Sequence, residues 1–372
     1  MKIGILGGGQ LGRMFLQNAL NYPVEISILD PSPLAPCKNL AHQFTLGDFN
    51  DFQTVIDFGK DLDVIGIEIE HVNTSALIEL KKMGKKIIPD PEVLEIIKDK
   101  GLQKAFYAKH QIPTAPFVLL EENEPLTQHE SFLPCFQKLR TGGYDGKGVL
   151  KINSVDDPSF SAPCVLEKAA DLQKEIAVVV VQDQKGNRKA YPAIEMVANP
   201  KYNLLDYLLC PAEISDEIQT KAIDIALLAV EKLGSAGIFA VELFLNKDQS
   251  IWVNEIAPRV HNSGHSTIEG AFCSQFDQML RILAGYPLGS TKLKGTSVML
   301  NLIGEENFSG EAYYLGVQQA LELENTYLHL YGKKQTSKGR KMGHITLVGN
   351  SKEELLPKID TIKENLKVIS KS

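Results

Sequence analysis

The sequence predicts a mixed α/β chain of two or three domains that opens on a doubly wound unit, and three observations lead there. At 372 residues the chain is too long for one compact core. Residues 1–95 alternate short apolar strands with helical patterns behind a glycine turn, as parallel sheets do. Beyond them, apolar strands come in pairs joined by short glycine-rich or polar turns.

Composition narrows the class. The apolar fraction of 44% and charged fraction of 23% are those of an ordinary globular protein. A net charge of -7 argues against a sequence-independent nucleic-acid binder. No apolar run approaches a membrane span, and the N-terminus lacks a signal-peptide core and cleavage site, so the expected location is cytoplasmic. Five scattered cysteines, an odd number without metal-type spacing, read as reduced thiols.

In chain order, Lys2 to Leu6 is a buried-type strand running into Gly7, Gly9 and Gly12, then a helical pattern through Leu11, Phe15, Leu16, Ala19 and Leu20, then a strand Val24 to Leu29 ending at Asp30. This matches the dinucleotide fingerprint G-x-G-x-x-G with its acidic residue. It equally matches any tight strand-to-helix turn whose N–H groups face an anion, and Gln10 points an amide into the same crevice. A strand Val64 to Ile69 carries Glu68, Glu70, His71 and Asn73 at its carboxyl edge, a ligand-facing position in open sheets or a polar strand end with a helix cap at Thr74 or Ser75. Ile87 and Ile88 supply one more strand.

Pro91 to His110 reads as one helix whose lysines (Lys98, Lys100, Lys104, Lys109) a solvated face explains. Phe136 to Ile152 is a strand, a loop with four glycines, and a strand. The G-K-[ST] ending of a Walker loop is missing, and a glycine-rich hairpin carrying Tyr144, Asp145 and Lys147 can instead fold over phosphates as a lid. Strands follow at Cys164 to Glu167 and Glu175 to Val181, and a helix at Ser215 to Leu233 stops at Gly234.

Two strands then carry one carboxylate each, Glu242 within Gly237 to Leu245 and Glu255 within Ile251 to Ile256. Strict alternation puts Glu255 on the face of Ile251 and Val253, where a carboxylate needs a cation or donor. Joined by the N-K-D-Q-S turn, the two can face one another as ligands for a hard cation such as Mg²⁺, or serve as strand-edge salt bridges. Pro258 stops the strand, and Arg259, His261, Asn262 and His265 crowd a Gly/Ser loop of the kind that carries sites. Ser274 to Leu283 is a further helix. The C-terminal region adds strands Val298 to Ile303, Tyr327 to Tyr331 and Ile345 to Val348, with basic turns at Gly332-Lys333-Lys334 and Gly339-Arg340-Lys341 that are solvated tips or an anion clamp.

Taken together, T-G-G-Y-D-G-K-G at 141–148, N-E-I-A-P-R-V-H-N-S-G-H at 254–265 and G-R-K-M-G-H at 339–344, with G-G-G-Q-L-G-R-M at the start, resemble the N5-carboxyaminoimidazole ribonucleotide synthetase family of ATP-grasp enzymes over nearly the whole chain. The resemblance implies an α/β and α+β fold of three domains: an N-terminal doubly wound domain (1–95), a central ATP-grasp domain (96–288) with a lid at 141–148, and a small β-rich C-terminal domain (289–372), typically as a homodimer. It implies ATP-dependent carboxylation of 5-aminoimidazole ribonucleotide by bicarbonate through carboxyphosphate, with no nucleic acid or membrane as partner. Glu242 and Glu255 would hold Mg²⁺. Lys100, Lys104 and Lys138 would meet ATP phosphates, with Gly143 and Gly146 of the lid, Glu167, Lys168 and Glu175 at adenine and ribose, and Asn254 beside the metal pair. Tyr144, Asp145, Lys147, Arg259, His261 and Asn262 would surround bicarbonate and the amine. Lys333, Arg340 and Lys341 would clamp the ribonucleotide phosphate, with Gln10 and Glu70 reaching from the first domain.

Departures from the family pattern are Lys100 in place of Arg, Ala257 where broader ATP-grasp enzymes carry Asn, and Leu172 and Ala177 near Glu175. Biotin carboxylases and formate-using transformylases are the nearest alternative, against which the 257–265 run and the basic turn speak.

Overall fold

The computed structural model describes residues 1–143, 148–199 and 204–371. A five-stranded parallel sheet opens the chain in the order Gln43–Leu46, Glu25–Asp30, Lys2–Leu6, Val64–Ile67, Lys86–Ile87. The doubly wound expectation holds, with Ile3, Ile5, Ile26, Ile28 and Val64 wholly buried as the apolar runs require.

The glycine turn at its centre does not hold a dinucleotide. Glu68 turns its carboxylate into the turn and accepts from the N–H groups of Gly9 (2.6 Å) and Leu11 (2.9 Å), while Asp30 accepts from Gly8 (2.7 Å). These are the donors a pyrophosphate would use, so the chain satisfies the helix N-terminus with its own anion. The glycines are needed because a side chain at Gly9 would start 2.6 Å from the Glu68 carboxylate and because Gly7 has φ +102°. Glu68 is therefore structural, not a ligand at the strand edge. The strand ends at Ile67, and the following helix is capped by Asn73, which accepts from Ala76 N–H, not by Thr74 or Ser75.

The stretch expected as one helix is two, Pro91–Lys98 and Lys100–Lys109, because Asp99 leaves helical geometry (φ -118°, ψ 112°). Its carboxylate caps the second helix through Gly101 and Leu102 N–H and takes a two-pronged contact from Arg140 (2.7–3.1 Å). That break sets Lys100 at the head of a new helix. The helix Asp216–Leu233, by contrast, begins at the Ser215 cap and ends on left-handed Gly234 as read.

Two antiparallel sheets form most of the rest. A four-stranded one runs Phe117–Leu120, Cys164–Lys168, Cys135–Leu139, Val149–Ile152. The larger one runs from Ile251–Ala257 through Gly237–Asn246, Leu172–Gln182, Ile194–Asn199 and Leu204–Cys210 into Thr296–Ile303, Lys341–Gly349 and Thr326–Leu330. The region after 289 is thus not a detached sheet: it continues the central ladder through pairs such as Leu209–Val298 and so covers an edge that would otherwise stand open. A small sheet of Gly310–Leu315, Gln335–Thr336 and Lys367–Ser370 and the helix Lys352–Asn365 complete it.

The first sheet and the central one share one apolar core. Ile3, Phe15, Val179, Ile238, Leu280 and Tyr331 belong to it, and Tyr22 of the first unit stacks on Tyr286 and donates to Asp277 (2.6 Å). All five cysteines are buried and free, and among the described residues no helix is long and apolar enough to cross a membrane.

Replacing Glu68 by Ala should lower stability by about 1–3 kcal/mol, since the Gly9 and Leu11 donors lose their buried acceptor. NADH titration of either protein should give no heat. Denaturant unfolding with an unchanged midpoint would show that the carboxylate is dispensable.

Candidate active site

The hairpin of Gly237–Asn246 and Ile251–Ala257 is the base of the site. Its turn closes by Asn246 N–H to Ser250 (2.9 Å) with Gln249 at φ +65°. From the turn the strands pair Leu245–Ile251, Phe244–Trp252 and Leu243–Val253, and then Glu242 pairs with Glu255, so Asn254 has no partner. This is a β-bulge, and it reverses the alternation beyond it. Ile251, Val253 and Ile256 all lie in the core, at 3% exposure or less. Glu255 is consequently turned off the Ile251 and Val253 face, where strict alternation placed it, onto the open side with a side chain 41% exposed.

Glu242 and Glu255 therefore face each other across one register position. Burial, then Glu255, then Glu175 push the Glu242 carboxyl up to about 8. Burial works to raise Glu255 as well, but the Lys100 ammonium bonded to it outweighs burial and holds it below the usual carboxylate range. The expected strand-edge ion pair is thus real for Glu255, whereas Glu242 takes a side-chain hydrogen bond from Asn254 and has His261 Nε2 at 3.7 Å.

Above this pair sit lysines that a solvated face does not explain. Lys104 is 2% exposed, 3.3 Å from Glu167 Oε2, and donates to Thr114 Oγ1 (2.7 Å), which donates to Val253 carbonyl. Burial drives its ammonium down to about 8 against the pull of Glu167. Lys138 donates to the same Glu167 oxygen (3.0 Å) and to Asn254 Oδ1 (3.0 Å), tying the four-stranded sheet to the bulge. Glu175 lies within reach of the Lys138 charge, and burial raises its carboxyl. Lys168 stands apart from this cluster: its ammonium lies over the Phe132 ring at 4.8 Å.

The loop after the strand faces the first sheet. Arg259 grips Glu70 with two nitrogens, Nη2 donating to Oε1 at 3.0 Å and Nε donating to Oε2. The His261 ring, braced by Ser263 Oγ (3.0 Å), is held down to about 4 by burial, then by Arg259 and Lys341, and is a neutral imidazole near pH 7. The Asn262 side chain is engaged with Asn301 in a mutual amide pair (2.8 and 3.1 Å). His265, grouped by sequence with this loop, faces away from the cleft: it is 1% exposed and packs against Phe276 and His344.

Gln10 opens the first helix, and the basic turn contributes Lys333, whose ammonium reaches Lys341 carbonyl (2.8 Å), and Arg340, exposed and donating to Gln335 carbonyl (2.8 Å). Gly143 closes the described part of the hairpin loop; Tyr144, Asp145, Gly146 and Lys147 lie outside the described residues. Sequence reading missed Thr114 and Gln103, whose side chain accepts from Ile256 N–H (3.1 Å). Thr114 had one signal, polarity between apolar neighbours; Gln103, beside Lys104, had none.

The chain matches three domain families in order: the ribonucleotide synthetase preATP-grasp domain over residues 1–98, the ATP-grasp domain over 105–276, and the phosphoribosylaminoimidazole carboxylase C-terminal domain over 297–358. It is 34% identical to the N5-carboxyaminoimidazole ribonucleotide synthase of Brucella melitensis biotype 1, across 93% of this chain and 96% of that one. Among solved structures it resembles N5-carboxyaminoimidazole ribonucleotide synthetase from Thermotoga maritima (TM-score 0.92, 39% identity, 100% and 99% coverage). It also resembles the Aspergillus clavatus N5-carboxyaminoimidazole synthase in complex with ADP and 5-aminoimidazole ribonucleotide (TM-score 0.87, 34% identity, 98% of each chain). The chain spans about two thirds of the length of the phosphoribosylaminoimidazole carboxylases it matches, 66% for that of Ogataea methanolica.

The raised Glu242 carboxyl makes a stability prediction with a definite sign. Between pH 4.5 and about 8 the folded chain holds a proton there that the unfolded chain has lost, so this group erodes stability as pH rises through that window. In metal-free buffer Glu242→Gln should therefore melt higher than the parent at pH 8, by about 1–2 °C for each kcal/mol recovered in a chain of this length. The difference should close toward pH 4.5. A variant that melts lower at pH 8 would mean that ionised Glu242 is stabilised in place.

Proposed function

The chain belongs to the N5-carboxyaminoimidazole ribonucleotide synthase family, and on that premise we propose that it carboxylates 5-aminoimidazole ribonucleotide with bicarbonate at the expense of ATP, giving N5-carboxyaminoimidazole ribonucleotide, ADP and phosphate in purine biosynthesis. The observation that carries the reading is the bulge-made pair Glu242 and Glu255 beneath Lys100, Lys104 and Lys138, joined without a break to the Arg259 and His261 loop. Those groups supply what the reaction asks of a protein: cations for transferring phosphates, a site for a hard metal ion, and neutral and cationic donors beside them.

Bicarbonate is a weak electrophile because its carbon carries anionic oxygen. Attack of one bicarbonate oxygen on the γ-phosphorus, with loss of ADP, makes carboxyphosphate; its carbon–oxygen bond then breaks, phosphate leaves, and the substrate amine takes the carbon and gives up a proton. Positioning and charge neutralisation do most of this work. The Lys138 ammonium sits on the hairpin that carries the glycine loop, and Lys100 and Lys104 rise from the helix below it, so ATP phosphates enter between them. Glu167 and Glu175 take the nucleoside end, and Lys168, which follows Glu167 on its strand, lies over the Phe132 ring away from them.

Two opposed carboxylates, with phosphate oxygens to complete the shell, suit Mg²⁺; Glu242 is raised by burial first and by Glu255 second, and a cation would relieve both. When bound, Mg²⁺ neutralises phosphate charge. The neutral His261 imidazole can accept the proton leaving the amine, and Arg259, oriented by Glu70, faces the bicarbonate. Lys333, Arg340 and Lys341 meet the ribonucleotide phosphate. A homodimeric assembly and a cytoplasmic location belong to the same reading.

Phosphate release should require ATP, Mg²⁺, bicarbonate and 5-aminoimidazole ribonucleotide together. Release indifferent to the ribonucleotide, or supported by biotin or formate in its place, would refute the assignment. Glu255→Gln keeps the size of the side chain and removes its charge, so kcat should fall by about 10²-fold or more with the fold intact by circular dichroism. Near-parental turnover at ordinary Mg²⁺ would reduce Glu255 to a partner of Lys100.

A further inference from the structure

A groove of about 590 Å³ opens between the first helix and the C-terminal strands, lined among others by Arg13, Leu330, Lys333, Lys334 and Gln335. In a chain of net charge -7 its lining is cationic. Three of its residues are basic, and its one carboxylate, Glu311, is already neutralised by Lys371 at 2.7 Å. Arg13 has no part in the assignments above. Its Nε is buried yet meets no hydrogen-bond partner among the described residues, a costly state for a guanidinium unless an anion completes it.

The local backbone is shaped to admit that side chain. A Cβ on Gly332 would stand 3.0 Å from Arg13 Nη1, and Gly332 has φ +73°, so glycine both makes the turn and clears the space. The same turn delivers Lys333 and Lys334, its backbone held by Ala312 N–H to Lys334 carbonyl (2.9 Å). Gln335 presents the carbonyl to which Arg340 donates, which brings the second basic turn to the rim of the groove. Gln10 lies three positions before Arg13, on the same face of the helix Gln10–Ala19.

We propose that Arg13 is a substrate-binding residue that reaches across from the first domain to grip the phosphate of the sugar-phosphate substrate in this groove, opposite Lys333 and Lys334. The inference rests on the ribonucleotide reading above and deepens it: the phosphate is held between two domains, not by the C-terminal turn alone. A guanidinium reads a phosphate monoester with paired N–H groups, so Arg13 discriminates ribonucleotide from riboside.

The test is equilibrium binding by calorimetry with the full chain, a non-hydrolysable ATP analogue and Mg²⁺, comparing 5-aminoimidazole ribonucleotide with its riboside. Arg13→Gln should weaken the ribonucleotide by about 10- to 100-fold and leave the riboside and the ATP analogue unchanged. Lys334→Gln, at an exposed position that cannot endanger the fold, should weaken the ribonucleotide selectively by about 2- to 5-fold. If Arg13→Gln fails to fold, Lys334→Gln decides alone. Equal weakening of both ligands makes Arg13 a seam residue and overturns the proposal, as does a ribonucleotide affinity that neither variant changes. Failure of the unaltered chain to bind the ribonucleotide at all removes the functional reading, and the inference with it.

Discussion

The unpaired Asn254 decides which way Glu255 points. Without the bulge at Asn254, a carboxylate would be driven into the core beside Ile251 and Val253, where burying an unpaired charge costs several kcal/mol. With it, Ile256 takes the core position and Glu255 comes round to face Glu242. The rest of the cleft answers that juxtaposition. Two carboxylates at one register position repel, and Lys100 at the head of its helix and Asn254 itself offset the repulsion.

Charge balance explains why so many polar groups are tolerated out of water. Glu167 is shared by Lys104 and Lys138, Thr114 passes the Lys104 bond on to a backbone carbonyl, and Asn254 takes the other Lys138 contact. Each ammonium of this network therefore has an acceptor, as buried polar networks require. The balance is local and strained in one direction: Lys104 and Glu242 both have protonation shifted toward neutrality, largely by burial. An arriving polyphosphate with its cation would find ammonium groups and carboxylates already positioned, with little reorganisation left to do.

The seam between the first sheet and the central one gives the site its other wall. A shared apolar core and the Tyr22 contacts fix the two units, and Arg259 is braced on Glu70 across the gap. The glycine turn of the first unit, closed by Glu68 and Asp30, contributes rigidity and a helix aimed at the cleft. A fold that binds dinucleotides elsewhere here serves as scaffold, which is why fold alone does not name a function.

By itself the sequence determined what local physics determines. The helix Asp216–Leu233 was legible from its period and its Gly234 stop; the glycine turn was legible as an anion cradle; and the hairpin turn let Glu242 and Glu255 be read as carboxylates able to face one another. Only tertiary structure decided the rest, because each feature depends on a partner distant in the chain. A bulge is a count of two residues against one, and the one lies on the other strand. The break at Asp99 is held by Arg140, the burial of Lys104 is permitted by Glu167, and the anion in the glycine cradle is Glu68. What meets Arg13 is decided by the turn at Gly332, far along the chain, which is laid against it. Periodicity reports which face of an element is apolar; it carries no information about which charge from elsewhere will meet the polar one.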